Sequence, residues 1–188
     1  MVAEFITDVK YPHLGGNYDF FDKSSNAKKT WDYLIDKYDI KTSIDLGGGY
    51  GYAAKYLISK GVQSVNVDGL PKNVENSVAP AILHDLTEGP LQHNKVDLVN
   101  SVELVEHVEE KYIDNLLESL ALGKYILMTH ARPGQEGYHH VNCQPQEYWI
   151  EKLTNYGFTF SEEETNKIRK AESAWHVKRS ALFFIKNI

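Results

Sequence analysis

The 188-residue sequence has one cysteine, two methionines and no excess of positive charge. A single thiol can form neither an internal disulfide nor a multi-thiolate zinc site, which fits a reducing compartment, the cytoplasm. No stretch approaches the ~20 apolar residues of a membrane-spanning helix. The opening MVAEFITDVKYPHLGG lacks the apolar core of a signal peptide. Twenty Lys and Arg stand against 26 Asp and Glu, a net charge of −6. Proteins that coat extended nucleic acid need a cationic footprint, so that class is disfavoured, although a cluster such as Lys167 to Lys170 escapes a net count. Repeats, low-complexity tracts and linkers are also missing. The length predicts one domain over 1–188, with an arm and helix over 1–40 covering a core over 41–188.

What is present is alternation. Ser24 or Ser25 can cap a helix whose apolar residues Ala27, Trp31, Leu34, Ile35 and Tyr38 follow a 3.6 period. Strands are predicted at 42–46, 64–68, 81–84, 96–102 and 125–129, and two late ones at 158–162 and 181–186. Helices are predicted at 52–59, 108–120 and 146–156. Strand–helix alternation with short connections implies an α/β, Rossmann-like, mostly parallel sheet with helices on both faces, closed by an antiparallel pair.

Ligands of such sheets bind beyond the carboxyl ends of the strands. Asp45-Leu46-Gly47-Gly48-Gly49-Tyr50-Gly51 stands at such an end, and four glycines in five positions exceed what a turn needs. A helix follows, so free N–H groups face any bound polar group. Acids end three successive strands. Asp45 can hold an ammonium, Asp68 can accept from ribose hydroxyls, and Asp85 lies where an adenine amine would fall. Three carboxylates suit a ligand with an amine, a ribose and an adenine better than a pyrophosphate. The competing reading is a nicotinamide-dependent oxidoreductase, since Gly49-x-Gly51-x-x-Ala54 fits Gly-x-Gly-x-x-Ala.

The order Asp-x-Gly-x-Gly-x-Gly at 45–51, with Asp68, His84-Asp85-Leu86-Thr87 and the run Val96 to Glu103, resembles the motifs of the class I S-adenosylmethionine-dependent methyltransferases. The resemblance runs from about Trp31 to the last strand. It implies a seven-stranded sheet with an antiparallel last strand, S-adenosylmethionine as cofactor, and contacts to it from Asp45, Gly47, Gly49, Asp68 and Asp85. The same assignment extends to Gly51, Leu86 and Ser101.

If Ser101 to His107 turns into a helix, Glu103, Glu106 and His107 fall at i, i+3 and i+4 and share a face able to chelate a divalent ion. This Glu-x-x-Glu-His string is similar to one in ubiquinone-pathway O-methyltransferases and small-RNA 2′-O-methyltransferases, where it is associated with a metal near the acceptor oxygen. Many relatives of the superfamily carry such a string with no metal, the first acid then lying near the cofactor.

Between the strand at 125–129 and the next helix, His130, His139 and His140 lie on the same carboxyl edge and can supply a general base. His130, directly after the strand, is the better-placed candidate, while His139 or His140 can instead anchor the loop. His140-Val-Asn-x-Gln followed by Tyr148-Trp149 resembles a subgroup of small bacterial and viral methyltransferases. Cys143 reads as a structural thiol. Tyr11, His13, Tyr18, Phe20 and Phe21 of the arm can pack on the acceptor, on the adenosyl group or on the sheet edge. The expected activity is methyl transfer to an oxygen or nitrogen of a small-molecule or chain-end acceptor. The alternative is a cofactor-binding module whose acceptor site is degenerate or supplied by a partner.

Overall fold

The computed structural model describes residues 5–18 and 23–187. Phe20, Phe21 and the side chain of Tyr18, expected to pack over the site, lie outside the described residues. The arm contributes a two-stranded antiparallel ribbon, β1 (Phe5–Ile6) with β2 (Asn17–Tyr18). Helix α1 (Lys28–Tyr38) follows and buries Thr30, Trp31 and Leu34.

The core runs β3 (Thr42–Leu46), α2 (Tyr52–Ser59), β4 (Gln63–Asp68), α3 (Pro71–Glu75), β5 (Ala81–Leu83) and β6 (Val96–Ser101). Next come α4 (Ile113–Leu120), β7 (Gly123–Met128), α5 (Gln146–Asn155), β8 (Phe158–Phe160), α6 (Glu162–Ala171), α7 (Trp175–Ser180) and β9 (Leu182–Lys186). Seven strands form one sheet in the order β5-β4-β3-β6-β7-β9-β8. Strands β3 to β7 pair in parallel, and β9 runs antiparallel to both of its neighbours. The Rossmann-like sheet, its seven strands and its antiparallel last strand are as expected.

Successive residues of the strands feed opposite cores, as the period of two demands. Val99, Ile126, Met128 and Leu182 join one cluster with Leu116, Leu117 and Trp149. Leu98, Tyr125, Leu127 and Phe183 join the other, with Trp31, Leu34 and Ile168. Helices cover both faces because both faces are apolar.

Two differences from the sequence reading bear on the site. Helices α6 and α7 fill the segment between the late strands, where the sequence pattern predicts no element. Residues 101–107 do not become an α-helix. Glu103 adopts a left-handed φ of 57°, and only Val105–His107 make a 3₁₀ turn. The shared helical face for Glu103, Glu106 and His107 therefore does not form.

Candidate functional site

Strand order reverses direction at β3, with β4 on one side and β6 on the other. That switch point opens a crevice at the carboxyl ends, the place where open α/β sheets bind ligands. A cavity of about 310 Å³ lies there, lined by Asp45, Gly47 to Gly49, Asp68 and Asn100 from the sheet edge. Its far wall comes from Glu103, His107, Tyr138, His140 and His176, and its cover from Phe5 and Leu14 to Asn17 of the arm.

The glycine loop is shaped by the backbone it needs. Gly47 and Gly49 take φ of 73° and 56°, a region that side chains disfavour. A Cβ on Gly48 would run into the Asp45 carboxylate and the Asn66 amide. Asp45 is 2% exposed. It accepts from Asn100 Nδ2 at 2.7 Å and from the Ala54 N–H at 3.3 Å. Burial pushes its pKa up from 3.8 to about 6 despite those bonds, and the nearby Asp68 adds to the rise. Asp68 accepts from the N–H groups of Gly49 and Leu70 and from Asn73 Nδ2, and burial raises its pKa as well. Two carboxylates held at an unfavourable ionisation fit a cationic, hydroxyl-bearing ligand.

Asp85 and Leu86 line a smaller void of about 50 Å³ beside the main cavity. Ser101, fully buried at the end of β6, lines neither space. Gly51 takes φ 75° as the residue before α2 and also lines neither.

The histidines separate by environment. His130 is 3% exposed, sits against the carbonyls of Ala131 and Gln144, and lies outside the cavity lining. Burial lowers its pKa. His139 also lies outside the lining, with its carbonyl accepting from His107 Nδ1 at 3.1 Å. His140 does line the cavity, and its Nδ1 donates to the Gln135 carbonyl at 3.2 Å.

Glu106, His107 and His140 bring ligand-type atoms within 4.8 Å of one another. The Glu106 carboxylate is fully buried with neither oxygen hydrogen-bonded among the described residues. Burial, then the neighbouring Glu103, drives its pKa well above the ordinary carboxylate range. His107 is pushed down to about 4 by burial and then by His140. Carbonyls at Nδ1 of both imidazoles leave Nε2 as the ligating nitrogen. Two imidazoles and a buried carboxyl group with no hydrogen-bond partner among the described residues make a donor set that fits a divalent cation. Glu103 is not in this trio, and His140 takes the place that the spacing gave it.

Glu103 instead forms a different unit. Its Oε1 accepts from the Thr129 hydroxyl at 2.8 Å, while its own N–H donates to that hydroxyl at 2.8 Å. Its Oε2 meets His176 Nδ1 at 2.8 Å. Burial opposes ionisation of Glu103, but the bonds to His176 and Thr129 win and hold its pKa low. His176 was invisible to motif reading because it sits on α7, which no apolar period announces.

Residues 44–127 match the model of a methyltransferase domain family. No curated protein is similar enough to count as a relative. Among solved structures, the magnesium protoporphyrin IX methyltransferase of Synechocystis PCC 6803, with S-adenosylmethionine bound, superposes with a TM-score of 0.66 at 13% identity, over 87% of this chain and 79% of that one. The methyltransferase domain of the bacterial CtHen1-C gives 0.64 at 14% identity, over 89% and 100%. The [4+2]-cyclase SpnF gives 0.59 at 12% identity, over 86% and 82%, so likeness of fold does not fix a reaction. The family match and the acid-lined glycine loop, where Asp45 would repel a pyrophosphate, decide against the nicotinamide reading. Residues 44–127 thus match a methyltransferase domain, and the strand order around the glycine loop is that of the S-adenosylmethionine-dependent methyltransferase fold.

Proposed function

We propose that the protein methylates a hydroxyl or amine of a small molecule or of an exposed chain end, entering from the side of Tyr138 and His140. The observation that carries this reading is the buried, unfavourably ionised Asp45 beside a glycine loop and a cavity of about 310 Å³. Such a carboxylate waits for a cation, and the amino group of S-adenosylmethionine is one.

When bound, S-adenosylmethionine supplies an electrophilic sulfonium methyl. Asp45 holds its ammonium, and Asp68 has remaining lone pairs for the ribose hydroxyls. Alignment of an acceptor against the methyl is the larger part of catalysis, since displacement is in line. The proton leaves through His176, the catalytic base in this reading. Glu103 is its positioning residue, because Nδ1–H directed at Oε2 makes Nε2 the basic nitrogen. Glu106, His107 and His140 would hold a divalent ion, which would supply Lewis acidity to an acceptor oxygen.

The test uses radiolabelled S-adenosylmethionine against small phenols, catechols, amines and oligonucleotide ends, with Mn²⁺ or with chelator. Transfer to one acceptor class supports the reading, and transfer to none of them with cofactor still bound favours a binding module. His176→Ala should lower turnover about 10²- to 10⁴-fold while leaving cofactor affinity within about twofold. Equal loss of both would make His176 structural.

A further inference from the structure

The acid that the sequence assigns to an adenine amine is already engaged by the chain itself. Asp85 Oδ2 lies 2.6 Å from His13 Nε2. Its Oδ1 accepts from both the N–H and the hydroxyl of Thr87, each at 2.8 Å. Beside it, the Leu14 side chain covers Gly69, so closely that a Cβ there would lie 3.0 Å from Leu14 Cδ2. Leu86, Leu104 and Val108 form the remaining apolar wall. About 50 Å³ is left between them, against about 310 Å³ in the main cavity. The polar edge and the apolar face of a nucleobase slot are thus both occupied, by two consecutive residues of the arm.

We propose that the arm plugs its own nucleobase slot: the His13 imidazole stands in for an adenine amine at Asp85, and Leu14 for the ring against Gly69. This rests on the S-adenosylmethionine reading of the cleft. The cofactor must lift residues 13 and 14 to seat its base, so binding is coupled to arm opening. Neighbouring contacts make the coupling cooperative. A Cβ on Gly15 would lie 2.8 Å from the His107 ring, and one on Gly49 would lie 2.7 Å from the Asn17 amide. The same strap therefore rests on the glycine loop and on the candidate metal trio. An arm that leaves the base slot also uncovers the acceptor side, which orders cofactor loading with acceptor entry.

A plug and a lid predict opposite signs. A competitor for Asp85 lowers apparent affinity by the fraction of molecules in which it is displaced, whereas a lid that contacts bound cofactor adds affinity. Calorimetric titration with S-adenosylhomocysteine should show the His13→Ala, Leu14→Ala double variant binding at least tenfold more tightly than the wild type. Trypsin cleavage after Lys10 should quicken when S-adenosylhomocysteine saturates the wild type. Unchanged or weaker binding by the variant, with its Tm within a few degrees of wild type, overturns the plug and leaves the cofactor reading standing. Absence of binding to both proteins removes the cofactor reading and the plug together.

Discussion

Asp45 concentrates the chemistry of this protein in one carboxylate. Its pKa rises from 3.8 to about 6 on burial, a rise equivalent to roughly 3 kcal/mol of stability withheld above that pH. The folded acid is raised, so the unbound protein regains this stability as pH falls through about 6 towards 3.8. Binding a cation has the reverse dependence, because protons compete with it. S-adenosylhomocysteine affinity should hold from pH 8 to 7 and fall about tenfold by pH 5, with a midpoint near 6 in calorimetric titrations. Asp45→Asn should raise Tm by several degrees and abolish both the binding and its pH dependence. A variant that loses stability as well as binding would make Asp45 a structural group. Glycine 48 makes the complementary case, since a Cβ there meets Asp45 and Asn66. Gly48→Ala should cost about 1–3 kcal/mol, the range for overpacking, measured as a lowered Tm.

At the scale of elements, the glycine loop and the turn after β6 were unequally legible. The loop announces itself because its run of positive φ values favours glycine, and a strand and a helix frame it. The turn does not, because the spacing of Glu103, Glu106 and His107 suits a helix while the left-handed Glu103 breaks one. That break swings the Glu103 carboxylate to His176 and brings Glu106 and His107 to His140, 33 positions along the chain from His107. Helix α6 had a readable start, with the Ser161 hydroxyl accepting from the Glu164 N–H. Its few apolar residues hid it, since Ile168 alone among its aliphatics is buried. The metal trio makes a prediction of its own. Millimolar Mn²⁺ should raise the Tm of the wild type, and chelator should reverse the rise. Glu106→Gln should raise Tm without metal, by removing a buried unpartnered carboxylate, and should abolish the Mn²⁺ response in the same thermal melts. No Mn²⁺ effect on the wild type contradicts a metal at this place.

For the whole molecule, a net charge of −6 and one thiol narrowed the field, and the sheet then located everything else. Within the Lys167–Lys170 cluster, Lys167 pairs with Glu163 at 2.6 Å and with Glu164 at 3.3 Å on the same helix, and Arg169 donates to the Ala181 carbonyl. No helix among the described residues is long and apolar enough to cross a membrane. Two apolar clusters on opposite faces fix the strands, the strand order fixes the crevice, and the arm covers it. The most direct test is a calorimetric titration of wild type and Asp45→Asn with S-adenosylhomocysteine and with NAD. The wild type should bind S-adenosylhomocysteine saturably, the variant should bind none, and neither should bind NAD. NAD binding in place of S-adenosylhomocysteine, or equal affinity in the two proteins, would contradict the S-adenosylmethionine reading.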